Sequence, residues 1–209
     1  EADPSRVVAV HNGFTPMSGG DPSRGRALAG RDAYLFALGT VEPRKDLPSL
    51  VRAIDALAAD GTEVPLVHAG PDGWGSAAVA GMARPDLFTR LGARSGQELA
   101  DLFRGARAFA YPSVYEGFGI PVLEAMSAGV PVVSTTAEAV AEVAGDAAEL
   151  VPVGDVDALA GAIGRVWDDE ENRRALMAAG AARAERFSWD ACVDGIVALY
   201  RRIRDEEAL

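Results

Sequence analysis

Residues 108–134 read AFAYPSVYEGFGIPVLEAMSAGVPVVS. A short apolar run, Ala108–Tyr111, meets Pro112 and a loop with two glycines, Gly117 and Gly119. A helical stretch follows, opened by Pro121 and closed by Gly129, and a second apolar run covers Val130–Ser134. Apolar runs of this length between Pro and Gly signals read as strands buried on both faces. Proline suits the first turn of a helix and glycine its end. Strand, loop, helix, strand is the unit of a parallel sheet, because parallel neighbours need a crossover.

The same alternation extends outward. Further strand signals lie at Val7–Val10, Tyr34–Leu38, Val64–His68 and Ala148–Val151, and helical spacing at Leu47–Ala59, Gln97–Arg104, Pro121–Ala128 and Asp155–Trp167. Ser95 and Glu98 have the spacing of a capping box, and Gly154-Asp155 offers a cap for the helix after it. Residues 17–32 are rich in Gly and Ser without periodicity, which predicts a mobile surface loop. The predicted fold is α/β: a single doubly wound, Rossmann-like domain over 1–209 with a parallel sheet. An opening strand and mobile loop occupy about 1–32, and a helical C-terminal tail about 170–209, with long helices around 170–186 and 190–205.

Composition narrows the function classes. The 209 residues carry a formal charge of −11, which argues against nucleic acid and anionic membrane surfaces, since both need a clustered positive field. No apolar run approaches a membrane span, and no secretory signal is present. The single cysteine, Cys192, excludes an internal disulfide and reads as a small core residue. Trp74, Trp167 and Trp189 read as core or packing residues. The chain starts with Glu1 rather than Met, the expectation being a piece of something longer.

Four loops after predicted strands carry the chemistry: Gly39–Asp46, Ala69–Gly75, Pro112–Gly119 and Thr135–Val140. In a parallel sheet they share one edge, where ligands bind. Glu116 stands bare against Gly-Phe-Gly, and Glu124 lies just inside the next helix. Gly117 and Gly119 let a ligand approach the backbone, and the helix N-terminus favours an anion. Carboxylates suit sugar hydroxyls. The site thus offers amides for phosphate and carboxylates for sugar. The plainer reading makes Glu116 a loop cap and Glu124 a solvated acid facing the helix dipole. Arg44 and Lys45 read either as a solubilising pair or as cations for a diphosphate, in place of a divalent metal. No Asp-x-Asp pair follows a strand, Asp155-Val-Asp157 looks like capping, and no metal is expected. His68 reads as a satisfied strand-end residue, and His11 precedes an Asn-Gly turn; neither has a Ser or Cys partner.

Taken together the motifs resemble the carboxyl-terminal, nucleotide-sugar-binding half of GT-B fold glycosyltransferases, of the retaining group-1 type (family four). The matching stretches are His11–Phe14, Gly39–Asp46, Leu66–Pro71, Leu99–Ala106, Tyr111–Val133, Glu142–Asp146 and Phe187–Trp189. The resemblance implies that Glu116 contacts the donor sugar near the reacting centre and that Glu124 binds the ribose. It implies that Arg44 and Lys45 hold the diphosphate and count, with Glu116, as the catalytic set. Gly39, Gly117, Phe118, Gly119 and Ile120 would line the donor, and Ala93–Ser95, with Arg94, the base. The implied reaction moves a sugar, possibly from a GDP-mannose-like donor, to an acceptor hydroxyl of a glycan, lipid or small molecule, with retention and without metal or cofactor. It also implies an acceptor domain not included in this chain, little turnover by the chain alone, a cytoplasmic location, and membrane association only through the missing part. The alternative is a non-catalytic nucleotide-sugar-binding or interaction module of the same fold. The last helix, about Asp190–Arg204, should expose one apolar face if it crosses to the other domain.

Overall fold

The computed structural model describes residues 6–74 and 82–207. Six strands form one sheet: β1 (Leu35–Leu38), β2 (Leu66–Ala69), β3 (Phe88–Gly92), β4 (Ala108–Tyr111), β5 (Val132–Thr135) and β6 (Glu149–Val151). Their order is β3-β2-β1-β4-β5-β6, and every pair is parallel. The order reverses between β1 and β4, the switch point at which such sheets bind ligands.

Successive strand residues face opposite sides, and the core divides accordingly. Phe36, Val67, Phe109, Tyr111 and Val132 join one cluster, with Leu102, Phe103, Val122 and Leu123 from α3 (Gly96–Gly105) and α4 (Ile120–Ser127). Leu35, Ala37, Leu66, Ala108, Ala110 and Val133 join the other, with α2 (Leu47–Ala59) and α6 (Val156–Asp168). The doubly wound expectation therefore holds. Ser95 and Glu98 form the capping box of α3, and Asp155 caps α6. The tail is helical as read: α7 (Glu170–Ala184) packs on α4, and α8 (Trp189–Glu207) closes the described chain. Val193, Ile196, Tyr200 and Ile203 on α8 are exposed. No described helix is long and apolar enough to cross a membrane.

Several sequence expectations are corrected. Val7–Val10 forms no strand: Val7 and Val8 are exposed, and Val10 packs against Gly195 of α8, so its β-branched residues find a helix rather than a sheet edge. Residues 17–32 are not simply a loop. They contain α1 (Pro22–Ala29), started by Asp21, whose carboxylate accepts from Ser23 N and Arg24 N, and ended by left-handed Gly30. Apolar periodicity is missing because α1 docks on α3 through glycine; a Cβ on Gly25 would sit 1.9 Å from the Asp101 carbonyl oxygen. β3 and α5 (Glu138–Ala144) lie where no element was expected, β3 being an edge strand with the polar Thr89 and Arg90. Trp74 and Trp189 are exposed rather than core, although Trp189 packs on Gly13 and donates to Thr15 Oγ1 at 3.3 Å. Trp167 stacks under the Arg107 guanidinium. Glu1, and Gly75 at the end of the β2 loop, lie outside the described residues.

The α1–α3 contact makes a sharp prediction. Gly25→Ala should destabilise the chain by about 2 kcal/mol through overpacking. Gly96→Ala, also helical but with open space around its Cα, should change stability by less than about 0.5 kcal/mol. Urea denaturation of both variants measures the contrast; equal effects would contradict the packing.

Candidate functional site

The loop after β1 is built by backbone constraint. Gly39 takes φ +147 beneath the Lys45 side chain, and Gly70 lies so close that a Cβ there would stand 2.0 Å from the Gly39 oxygen. Pro43–Lys45 make one 3-10 turn. Asp46 then takes φ 43, the only positive φ at a non-glycine described residue, and its carboxylate caps α2 through Ser49 N at 3.3 Å. Aspartate tolerates the left-handed region by such local bonding, and residues held there cluster at functional sites.

The loop after β4 is fastened to this one by Val114 N donating to Arg44 O at 2.8 Å. Side chains complete the link. Glu116 accepts from Arg44 through Oε2 and from Lys45 through Oε1, both at 2.6 Å. Lys45 Nζ also donates to Tyr111 Oη at 2.7 Å. Arg44 Nε lies 2.6 Å from Glu42 Oε1, without the alignment of a hydrogen bond. Two carboxylates and two cations thus make a formally neutral cluster at the switch point. Glu116 is not bare: its side chain is only 9% exposed. Burial alone would raise its pKa, but the bonds from Lys45 and Tyr111 and the lysine charge outweigh this and hold it below the usual carboxylate range. Burial, with the Glu116 charge beside it, pushes the Tyr111 phenol up, so it stays protonated.

Glu124 is the opposite case. It lies one turn into α4, half-buried, its carboxylate without a hydrogen bond or ion pair to another described residue, and burial raises its pKa. Gly119, at φ 103, is the N-cap of α4 and supplies no side-chain cap, so the first N–H groups of this helix keep no side-chain acceptor. Gly117 has open space around its Cα, and Ile120 is exposed. The Phe118 ring turns away into an aromatic group with His11 and Phe187. An open cavity of about 740 Å³ adjoins Glu116 and Gly117, with Tyr115, Thr136, Glu138 and Glu142 around it. His11 lies at its margin, Nε2 2.7 Å from Glu142 Oε1.

The structure therefore joins Arg44, Lys45 and Glu116 directly, with Gly39 beneath Lys45 and Gly117 beside Glu116 at the open cavity, whereas Phe118 turns away and Glu124 lies a turn into α4 without touching the cluster. Ala93 and Arg94 are exposed in the loop after β3, two strands away from β1 on the same sheet edge. Tyr111 and Glu42 joined the cluster unannounced. The available signals were a strand-end tyrosine whose hydroxyl needs a partner when buried, and an acid two residues before Arg44. Among the described residues no group of three His, Cys, Asp or Glu could hold a metal ion.

A parallel sheet with charged and amide groups at its switch point defines a ligand-binding α/β domain. The glycosyl transferases group 1 family matches residues 32–169, and the chain belongs to that family. It is 36% identical over 173 residues to an O-antigen chain mannosyltransferase B of Escherichia coli, covering 80% of this chain and 45% of that protein. It is 33% identical over 228 residues to a D-inositol 3-phosphate glycosyltransferase of Streptomyces scabiei, covering 96% and 49%. Among solved structures, a sucrose-phosphate synthase of Thermosynechococcus elongatus matches with TM-score 0.73 and 25% identity, over 93% of this chain and 52% of that one. The chain spans about half the length of the relatives it matches.

The unpaired Glu124 yields a test. Its folded pKa is raised, so its ionised form costs stability above that pKa, and the cost disappears as pH falls toward the ordinary carboxylate value. Glu124→Gln should therefore raise the urea midpoint at pH 7 and leave it unchanged near pH 3.5. A lower midpoint at pH 7 would show that the carboxylate has a partner.

Proposed function

We propose that this chain is the donor-binding part of a retaining hexosyltransferase that works without a metal and takes a nucleoside diphosphate sugar. The observation that carries the proposal is the Arg44–Lys45–Glu116 cluster at the switch point, beside the uncapped N-terminus of α4. A diphosphate laid there meets two cations and the first amides of a helix, and so needs no divalent ion to neutralise it. Arg44, half-exposed, is the cation free to turn from Glu116 to a phosphate oxygen, and Lys45 supplies a held point charge.

In the proposed reaction the bond from the anomeric carbon to the phosphate oxygen breaks, and its electron pair leaves with the diphosphate. The acceptor oxygen bonds to the same face, and its proton passes to the departing phosphate. Charge grows on the diphosphate as the bond lengthens, so fixed cations act most strongly in the transition state. Glu116 stays ionised and takes donor-sugar hydroxyls at the mouth of the open cavity, while Glu124 takes the ribose hydroxyls and so finds the partner it lacks. Ala93 and Arg94 stand toward the base, and Gly39 and Gly117–Ile120 approach the donor through backbone. A GDP-mannose-like donor is favoured by the mannosyltransferase among the relatives. The acceptor hydroxyl comes from a second domain.

Lys45→Ala alone would strand a buried carboxylate, which costs about 3–5 kcal/mol, so the informative variants are Arg44→Ala and the neutral pair Lys45→Met with Glu116→Gln. Calorimetry with UDP, GDP and dTDP, with and without EDTA, should find one diphosphate bound selectively and unaffected by EDTA. The triple variant should lose about a hundredfold in affinity, the effect of two charge-assisted contacts. Binding that ignores these substitutions, or that EDTA abolishes, would sink the proposal, as would failure of all three to bind.

A further inference from the structure

β1 pairs with β2 over four residues but with β4 over only two, Leu35↔Ala108 and Phe36↔Phe109. Beyond that point the two central strands part. A space of about 10 Å³ lies at the parting, lined by Leu38, Gly39, Thr40, Lys45, His68 and Tyr111 among others. That is about the smallest volume that holds one water.

His68 belongs to β2, is 3% exposed, and sets Nε2 2.9 Å from the Gly39 oxygen. A carbonyl only accepts, so Nε2 carries the proton and Nδ1 the lone pair. Burial, opposed only in part by the Gly39 bond, lowers the pKa to about 4, and the ring is neutral at physiological pH. Nδ1 is buried with no hydrogen-bond partner. Arg90 and Asp72, whose charges act on the ring in opposite senses, pair with each other. Lys45 has three ammonium hydrogens, of which Glu116 and Tyr111 take two. Lys45, with one ammonium hydrogen unspent, and His68, with one buried acceptor unspent, therefore both line the same water-sized space.

We propose that His68 is a positioning residue for Lys45: a single water in this space accepts from Lys45 Nζ and donates to His68 Nδ1, while Nε2–H holds the Gly39 carbonyl. The imidazole then acts on the lysine twice. It fixes the ammonium through the water, and it fixes the stem through Gly39, whose Cα faces Lys45; a Cβ there would meet Lys45 Cε at 3.2 Å. A lysine held on two sides cannot simply follow Glu116, and it meets an incoming diphosphate as a fixed charge. This inference rests on the donor-site reading above.

The test compares wild type, His68→Leu and His68→Gln by calorimetry with GDP and UDP and with GMP and UMP. Wild type should prefer a diphosphate to its monophosphate. His68→Leu should lose about fivefold of the diphosphate affinity and little of the monophosphate affinity, the scale of one hydrogen bond. Gln keeps both a donor and an acceptor and should restore most of it. A leucine variant that keeps the full diphosphate preference overturns the positioning role and leaves the donor site standing. A wild type without that preference overturns both. Imidazole ¹⁵N spectra need no variant, and the chain has only two histidines. They should show one ring as the Nε2–H tautomer, untitrated down to about pH 5; the absence of such a ring overturns the role of His68.

Discussion

A carboxylate with little access to water needs cations or donors close by, since stripping an ion of water costs several kcal/mol. Glu116 meets that demand with Lys45 and Arg44, which come from a different loop of the sheet. Much of the site follows from this pairing. β1 and β4 separate after two paired residues, and the charges bridge the opening. Val114 bonds to the backbone of Arg44, Asp46 turns the chain back into α2, and Gly70 yields room for Gly39. The cluster is balanced in charge, so it is stable without a ligand, and its half-exposed member, Arg44, is the one able to move.

Glu124 and the N-terminus of α4 carry the complementary arrangement. There a half-buried carboxylate with a raised pKa is left without a partner, and the first turn of the helix has no side-chain cap. Ionisable groups with shifted pKa values cluster at functional sites. The two loops thus divide the work. One holds opposite charges together in advance, and the other keeps hydrogen-bonding capacity unspent.

Much of this was legible in the sequence for physical reasons. Strands buried in the sheet, such as Leu35–Leu38 and Ala108–Tyr111, leave unbroken apolar runs, and Pro and Gly punctuate the helices between them. Glu116 stood out as a charge beside glycine in a strand-end loop, Arg44 and Lys45 as adjacent cations in another, and Glu124 as an acid just inside the next helix. What stayed hidden depends on contacts far apart in the chain. α1 packs by glycine against α3 and shows no apolar stripe, β3 is an edge strand whose pattern is broken by Thr89 and Arg90, and Val7–Val10 found a helix instead of a sheet. The direct pairing of Glu116 with both cations could not be read either, since residues 44 and 116 meet only when β1 and β4 become neighbours.

The most direct test of the account is a crystal structure of the chain with the nucleoside diphosphate that binds it. The account predicts the diphosphate between Lys45, Arg44 and the backbone of residues 117–120, with Arg44 drawn off Glu116 and the Glu124 carboxylate on the ribose. A diphosphate seated elsewhere, with the Arg44–Glu116 pair intact and Glu124 still unpartnered, would contradict it.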